Sequence, residues 1–181
     1  MSKLAEANAS VKPGADTVQI RRIVTGHNEK GEAVILEDRI CPNRFAMGGN
    51  AEFVDTEIWH LDETSNDNAK EYSDPATAFG FTPPRNGNIC RFLEIPPDST
   101  LGTDDGEEVK PLFHRTASVD YAVVISGEII AVMDGDQTVM KAGDIMVQRG
   151  TIHAWSNKTD KPCLMLFVLC GADPIPGLPV L

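Results

Sequence analysis

Residues 121–136 read YAVVISGEIIAVMDGD, and this stretch decides the fold class. Two runs of strand length, Tyr121–Ile125 and Glu128–Met133, are separated by Ser126-Gly127 and followed by Asp134-Gly135-Asp136. Short runs rich in β-branched residues are typical of strands, and glycine among polar residues is typical of a tight turn. The stretch therefore predicts two consecutive antiparallel strands.

The same pattern continues on both sides of this stretch. The further strand-length runs are Val18–Thr25, Ala33–Leu36, Phe53–His60, Cys90–Ile95, Thr138–Met140, Ile145–Val147, Ile152–Ser156 and Cys163–Cys170. Polar or glycine-containing turns divide them, and no window has the 3.6-residue period of an amphipathic helix. The pattern predicts an all-β fold, an antiparallel jelly-roll β-barrel in which the first two runs form an N-terminal β-hairpin extension added to one sheet.

The 181 residues have the length of a single domain. We expect residues 1–17 to form a flexible N-terminal segment and residues 18–89 to form strands and a long loop packed on the barrel. Residues 90–170 are predicted to form the barrel core. The last segment, 171–181, contains three prolines, which a central strand does not accommodate, so we expect a tail there.

Charge and cysteine content argue against several classes of protein. A formal net charge of −11 argues against nucleic acids and anionic membrane surfaces as partners, because both attract basic residues. None of the four cysteines forms a C-x-x-C pair, which argues against a zinc knuckle or a disulfide scaffold. The sequence shows neither a signal-peptide pattern nor an apolar stretch of about 20 residues, so we expect a cytoplasmic protein.

Two of the four histidines lie where the strand pattern is clearest. Residues 114–121 read HRTASVDY, and residues 143–157 read GDIMVQRGTIHAWSN. His114, Thr116 and Asp120 share one parity, so on an extended chain their side chains point to one face. His153, on another strand, completes a set of two imidazoles and one carboxylate, which suits iron(II), manganese or zinc and leaves coordination positions open. The alternative is a polar cavity without a metal.

These two segments resemble the cupin superfamily over residues 90–170. The family's first motif has two histidines, a glutamate and a glycine, and its second has a glycine-aspartate start, a histidine and an asparagine. The matching residues here are His114, Asp120, Gly127, Gly143, Asp144, His153 and Asn157. Thr116 stands at the second histidine of the first motif, and Asp120 is one methylene shorter than the family's glutamate. The resemblance implies a single-domain cupin of microbial catabolic or secondary metabolism.

The ligand set and the resemblance together favour a metal-dependent enzyme acting on a small organic molecule inside the barrel. A lyase step, dehydration or decarboxylation, is the first choice. In it the divalent metal polarises a substrate oxygen, and Asp120 or His153 moves the proton. An iron(II) dioxygenase is the alternative reaction, and a non-catalytic cupin that only binds a small molecule is the alternative class.

Residues beside the predicted metal ligands are candidates for substrate contact. Thr116 replaces an imidazole, and Tyr121 and Arg149 carry groups that bind a carboxylate or hydroxyl. A local salt bridge is the alternative role for Arg149. Trp155 shares the parity of His153 and forms either the cavity wall or part of the core. Asn157 is predicted to hydrogen-bond a metal ligand from behind.

The run Cys163–Cys170 (CLMLFVLC) does not alternate apolar with polar residues. A strand with one solvated face alternates, so we expect this strand to be buried on both faces. Either the N-terminal hairpin, Val18–Leu36, or a second subunit supplies the outer cover, and we predict a homodimer. Light scattering at on the order of tens of micromolar protein should give the dimer mass. A monomer mass would contradict the dimer and assign the cover to the hairpin.

Overall fold

In the computed structural model, residues 7–62, 68, 71–102 and 111–180 are described. This part of the chain forms strands connected by turns and loops, with one short 3-10 helix at Asp98–Thr100. The strands are β1 (Arg21–His27), β2 (Ala33–Ile40), β3 (Arg44–Met47), β4 (Asn50–Leu61), β5 (Asn88–Ile95), β6 (Ser118–Ser126), β7 (Glu128–Met133), β8 (Gln137–Lys141), β9 (Ile145–Arg149), β10 (His153–Ser156) and β11 (Cys163–Gly171). None of the described helical segments is long and apolar enough to cross a membrane.

The strands form three antiparallel sheets. A six-stranded sheet has the order β3-β4-β5-β11-β6-β9, and a three-stranded sheet has the order β10-β7-β8. The all-β antiparallel fold predicted from the sequence is confirmed, and every predicted run overlaps a strand. Only β3 was not predicted, because four residues next to the glycine pair Gly48-Gly49 are too few to show a period.

The N-terminal hairpin departs from the prediction. Strands β1 and β2 pair only with each other and form a separate two-stranded sheet, so the hairpin is not added to a larger sheet. Its attachment is made by side chains instead. Within the hairpin, the buried Arg22 on β1 binds Glu37 on β2 at 2.7 Å. Arg22 also binds Asp74 in the loop before β5 and donates a hydrogen bond to the Ile58 carbonyl at 3.1 Å, and these two contacts attach the hairpin.

The hydrophobic core lies between the six-stranded and three-stranded sheets. From the larger sheet it receives residues such as Ile89, Val124 and Met165, and from the smaller one Ile129 and Ala131. Strand β11 lies between β5 and β6, so both of its edges are paired. Because the two sheets pack face to face, polar side chains on the inner face of either sheet share one interior.

The two faces of β11 are buried to different extents. Met165, Phe167 and Leu169 face the core and are buried, whereas Leu166 and Val168 on the other face are only half-buried. The prediction of two fully buried faces is thus met on one side. Of the two covers expected for the outer face, the hairpin forms a sheet of its own. The second subunit stays a prediction.

The turn between β6 and β7 generates a test of the fold. Gly127 has φ +85°, and a Cβ there would lie 2.9 Å from the Pro162 carbonyl oxygen and 3.0 Å from Cys163 Cα. Gly127→Ala should lower the free energy of unfolding by roughly 2–3 kcal/mol in urea denaturation, because backbone strain and a contact with backbone atoms add. Gly135→Ala is the matched control, since its added Cβ meets nothing within 4 Å. Equal stability of the two variants would contradict this account.

Candidate active site

A cavity opens between the two sheets, with walls that are mainly aromatic and aliphatic. The space open to the centres of water molecules is about 130 Å³. One water needs about 10–15 Å³ of such space, so the cavity has room for a small organic molecule. The aromatic side chains in its wall are Phe53, Phe79, Phe81, Trp155 and Phe167, and the polar ones are Asp55, Arg91, Asp98, His114, Thr116, Asp120 and His153.

His114 and His153 form a direct main-chain pair inside this cavity. The His114 amide donates to the His153 carbonyl at 2.9 Å, and the His153 amide donates back at 3.0 Å. The two imidazole rings follow the backbone and lie with their centroids 4.1 Å apart. Residues from two segments nearly 40 positions apart in the chain are thus brought to one point.

The hydrogen bonds of the two rings are equivalent. His114 Nδ1 lies 3.0 Å from the Leu112 carbonyl oxygen, and His153 Nδ1 lies 3.1 Å from that of Thr151. A carbonyl only accepts, so each Nδ1 carries the proton in this pairing, and each Nε2 keeps a free lone pair. This arrangement, in which a backbone carbonyl fixes the tautomer, is typical of metal-binding histidines.

Burial keeps both imidazoles neutral. It lowers the pKa of His153 to about 3, with the neighbouring His114 adding to the effect, and it also lowers the pKa of His114. A neutral imidazole is the form that donates a lone pair to a metal or accepts a proton from a substrate.

Thr116 and Asp120 occupy the same cavity, on the inward face of β6 and the segment before it. The Ser118 hydroxyl donates to Thr116 Oγ1 at 2.7 Å, and Thr116 Oγ1 lies 3.5 Å from Asp120 Oδ2. Asp120 Oδ1 is buried without a hydrogen-bond partner, and burial raises the pKa of this carboxyl. The cavity thus presents an unpaired carboxyl oxygen together with the imidazole pair.

The donor types in this cavity fit a divalent cation, because two neutral imidazoles and a carboxyl group suit iron(II), manganese or zinc. Among the described residues, however, no three His, Cys, Asp or Glu side chains are grouped closely enough to hold a metal ion. The structure therefore brings the two histidines together, and the set of His114, Asp120 and His153 stays a prediction.

Two residues predicted to contact a substrate lie outside the cavity lining. Tyr121 follows the inward-facing Asp120 and is 44% exposed on the outer face of β6. Arg149 is likewise exposed, because its neighbour Gln148 takes the inward position on β9. The period of two along a strand explains both corrections. Trp155 lines the cavity and also packs edge-to-face on Phe167 at 5.5 Å, so it serves wall and core together.

Asn157 is fully buried but does not support a histidine. Its side-chain amide donates to the carbonyls of Ile95 and Lys161 at 3.0 and 2.8 Å, and its Oδ1 accepts from Thr159. The residue therefore closes the turn between β10 and β11 and fastens it to the end of β5. Its predicted hydrogen bond to a metal ligand is wrong, because the two carbonyls and the amide and hydroxyl of Thr159 occupy the whole side-chain amide.

Sequence reasoning missed two charged residues that also line the cavity. Asp55 on β4 and Arg91 on β5 are buried, line the cavity and form an ion pair at 3.0 Å. Arg91 also lies 3.5 Å from Glu57 and 5.2 Å from the centroid of the Phe79 ring. The signal was present, because Asp55 shares the parity of Phe53 on a predicted strand, and a charged residue on an inward face is rarely buried without a partner.

Comparison with known proteins defines the family. Residues 102–169 match the family model described as the cupin domain. The chain is 31% identical to the cupin-domain-containing oxidoreductase virC of Hypocrea virens, covering 85% of this chain and 77% of the relative. It is 33% identical to the phomopsin biosynthesis cluster protein C' of Diaporthe leptostromiformis, covering 85% of this chain and 79% of the relative. The chain therefore belongs to the cupin-domain family.

Solved structures that resemble part of the chain include a cupin 2 conserved barrel domain protein from Salinispora arenicola. It has a TM-score of 0.39 and 18% sequence identity, and the match covers 65% of this chain and 75% of that one.

The depressed pKa of His153 predicts how acid affects the metal-free protein. Above about pH 6.5 the imidazole is neutral in both states, and below it the unfolded chain takes up a proton that the folded protein excludes until about pH 3. The stability that His153 contributes is therefore lost as the pH falls through this window. Relative to His153→Gln, wild-type protein should lose up to about 1.4 kcal/mol of unfolding free energy per pH unit, measured by urea denaturation with chelator present.

His27→Gln is the control for this measurement, because His27 lies exposed at the end of β1. Measured at the same pH values, this variant records what a histidine-to-glutamine change does outside the cavity. A difference between wild type and His153→Gln that stays constant with pH would show that the His153 imidazole is not held neutral by the fold.

Proposed function

We propose that this protein is a metal-dependent enzyme of secondary metabolism that oxidises a small organic molecule inside the cavity. The observation that carries the proposal is the His114–His153 pair, two neutral imidazoles with their Nε2 lone pairs free. The names of the relatives support the reaction class, since several are cupin-domain-containing oxidoreductases and others belong to biosynthesis clusters. They favour oxidation over the lyase step predicted from the sequence.

His114 and His153 would hold the divalent metal, with Asp120 as the carboxylate ligand. Such an ion supplies Lewis acidity and, as iron(II), open positions where dioxygen and substrate meet. The protein's own residues orient the substrate and exclude water from the cavity. The ring of Trp155 and its aromatic neighbours binds the apolar body of the substrate and keeps water out. Thr116 leaves room beside His114 and His153, and an imidazole at position 116 would fill that room.

Metal titration tests the proposal directly. Anaerobic isothermal titration with iron(II), and with manganese and zinc separately, should show one bound ion per chain. His114→Ala and His153→Ala should each weaken binding at least tenfold, because a two-imidazole site loses half of its nitrogen ligands. His27→Ala, which removes an exposed imidazole, should leave the affinity unchanged.

The reaction class has a separate readout. Nitric oxide added to the iron(II)-loaded protein should give the paramagnetic resonance signal of an iron–nitrosyl complex, because it occupies the position open to dioxygen. Binding of all three metals that is unaffected by His114→Ala and His153→Ala would refute the metal site and favour a cupin that only binds a small molecule. Metal binding without a nitrosyl signal would refute the oxidation and favour the lyase step predicted from the sequence.

A further inference from the structure

We propose that Asp55 is a further catalytic residue of this cavity, a buried carboxyl group held by Arg91 that exchanges a proton with an oxygen atom of the substrate. It lies on β4, outside the segments that carry His114 and His153. The inference rests on the proposed function only in that a substrate occupies the cavity.

The first step of the argument is the geometry of Asp55. Its side chain is 1% exposed and lines the cavity. Oδ2 accepts a hydrogen bond from Arg91 Nη1 at 3.0 Å, whereas Oδ1 is buried with no partner. An unpaired buried carboxyl oxygen costs roughly 1–3 kcal/mol, so structures rarely keep one without a use. A substrate hydroxyl or carbonyl in the cavity would supply the missing partner.

The second step is the charge around it. Arg91 faces both Asp55 and Glu57, at 3.0 and 3.5 Å, and His60 Nε2 lies 2.9 Å from the other oxygen of Glu57. One guanidinium thus serves two buried carboxyl groups, and a second negative charge at this depth is unfavourable. Burial raises the pKa of Asp55 to about 7, with Glu57 adding to the effect and Arg91 opposing it. A carboxyl group that gains and loses its proton near neutral pH is suited to acid–base catalysis.

The third step is that Arg91 itself is fixed. Its Nη2 donates to the Gly80 carbonyl, its guanidinium lies over the Phe79 ring, and the side chain is 8% exposed. Arg91 is therefore a positioning residue, which holds Oδ2 and leaves Oδ1 for the substrate. In the acid step the O–H bond of Asp55 breaks, and its proton bonds to a substrate carbonyl or departing oxygen. The resulting carboxylate stays paired with Arg91, and it takes a proton from a substrate or product hydroxyl in the return step.

Infrared spectroscopy of the metal-free protein tests the protonation without any activity. The wild-type minus Asp55→Asn difference spectrum should contain the carbonyl band of a protonated carboxyl group at about pH 5, and the band should disappear by about pH 9 with a midpoint near 7. Glu52→Gln, which changes an exposed acid on the same strand and leaves Asp55 in place, should retain the Asp55 band. Absence of the Asp55 band from the wild-type minus Asp55→Asn spectrum at about pH 5 would overturn the proposal.

The second measurement adds acetophenone, an aromatic ring with a carbonyl acceptor, labelled with carbon-13 at that carbonyl. At about pH 5 its carbonyl band should lie at lower wavenumber in wild-type protein than in Asp55→Ala, and the Asp55 band should move when the probe is added. In Asp55→Asn the probe band should stay shifted at every pH, because an amide donates irrespective of pH. In Asp55→Ala it should not shift. An unshifted probe and Asp55 band, whether from lack of binding or lack of contact, would overturn the proposal.

If Asp55→Asn does not fold, wild-type protein with carbon-13 in its aspartate carboxyl groups gives the same titration. Asp120→Asn then assigns the band, because a band from Asp55 persists in that variant. Failure of the proposed function is distinguishable from failure here. Loss of metal binding in His114→Ala concerns the histidine pair, whereas the infrared titration reports Asp55 alone and is made without metal.

Discussion

The two main-chain hydrogen bonds between His114 and His153 are the interaction on which the chemistry of this protein depends. They join a segment that leads into the six-stranded sheet to a strand of the three-stranded sheet, at the place where a cavity separates the two. This pairing of the backbones holds the centroids of the two rings 4.1 Å apart. Each ring is then oriented by a carbonyl two residues earlier, so the backbone sets both the position and the tautomer of the imidazoles.

A second constraint is the cost of polar groups in an apolar interior. Asp55 Oδ1, Arg91 Nε and Asp120 Oδ1 are all buried without partners in the cavity region. Each such atom costs roughly 1–3 kcal/mol, against a total stability of about 5–15 kcal/mol for a typical domain. Apolar burial in the sheets around the cavity offsets this cost. Unpaired polar atoms of this kind are expected where a ligand completes the hydrogen bonding.

Much of the fold could be predicted because the relevant signal is local. The run Glu128–Met133 coincides with β7, and Gly127 marks the turn before it, since strand propensity and turn chemistry act over a few residues. Predictions that needed more than one segment fared less well. The hairpin β1–β2 forms its own sheet, and the ion pair of Arg22 with Asp74 joins it to the loop before β5. No strand pattern records where a buried arginine will bind.

The site divides along the same line. The sequence by itself determined that His114, Thr116 and Asp120 share a face and that His153 lies on another strand, because the period of two is built into an extended chain. Only the tertiary structure decided that the two histidines pair directly and that Asn157 binds the end of β5. It also brought Asp55 and Arg91 into the cavity. These outcomes depend on the register between strands that are distant in the chain, and register is fixed by the packing of whole sheets rather than by the residues of any one strand.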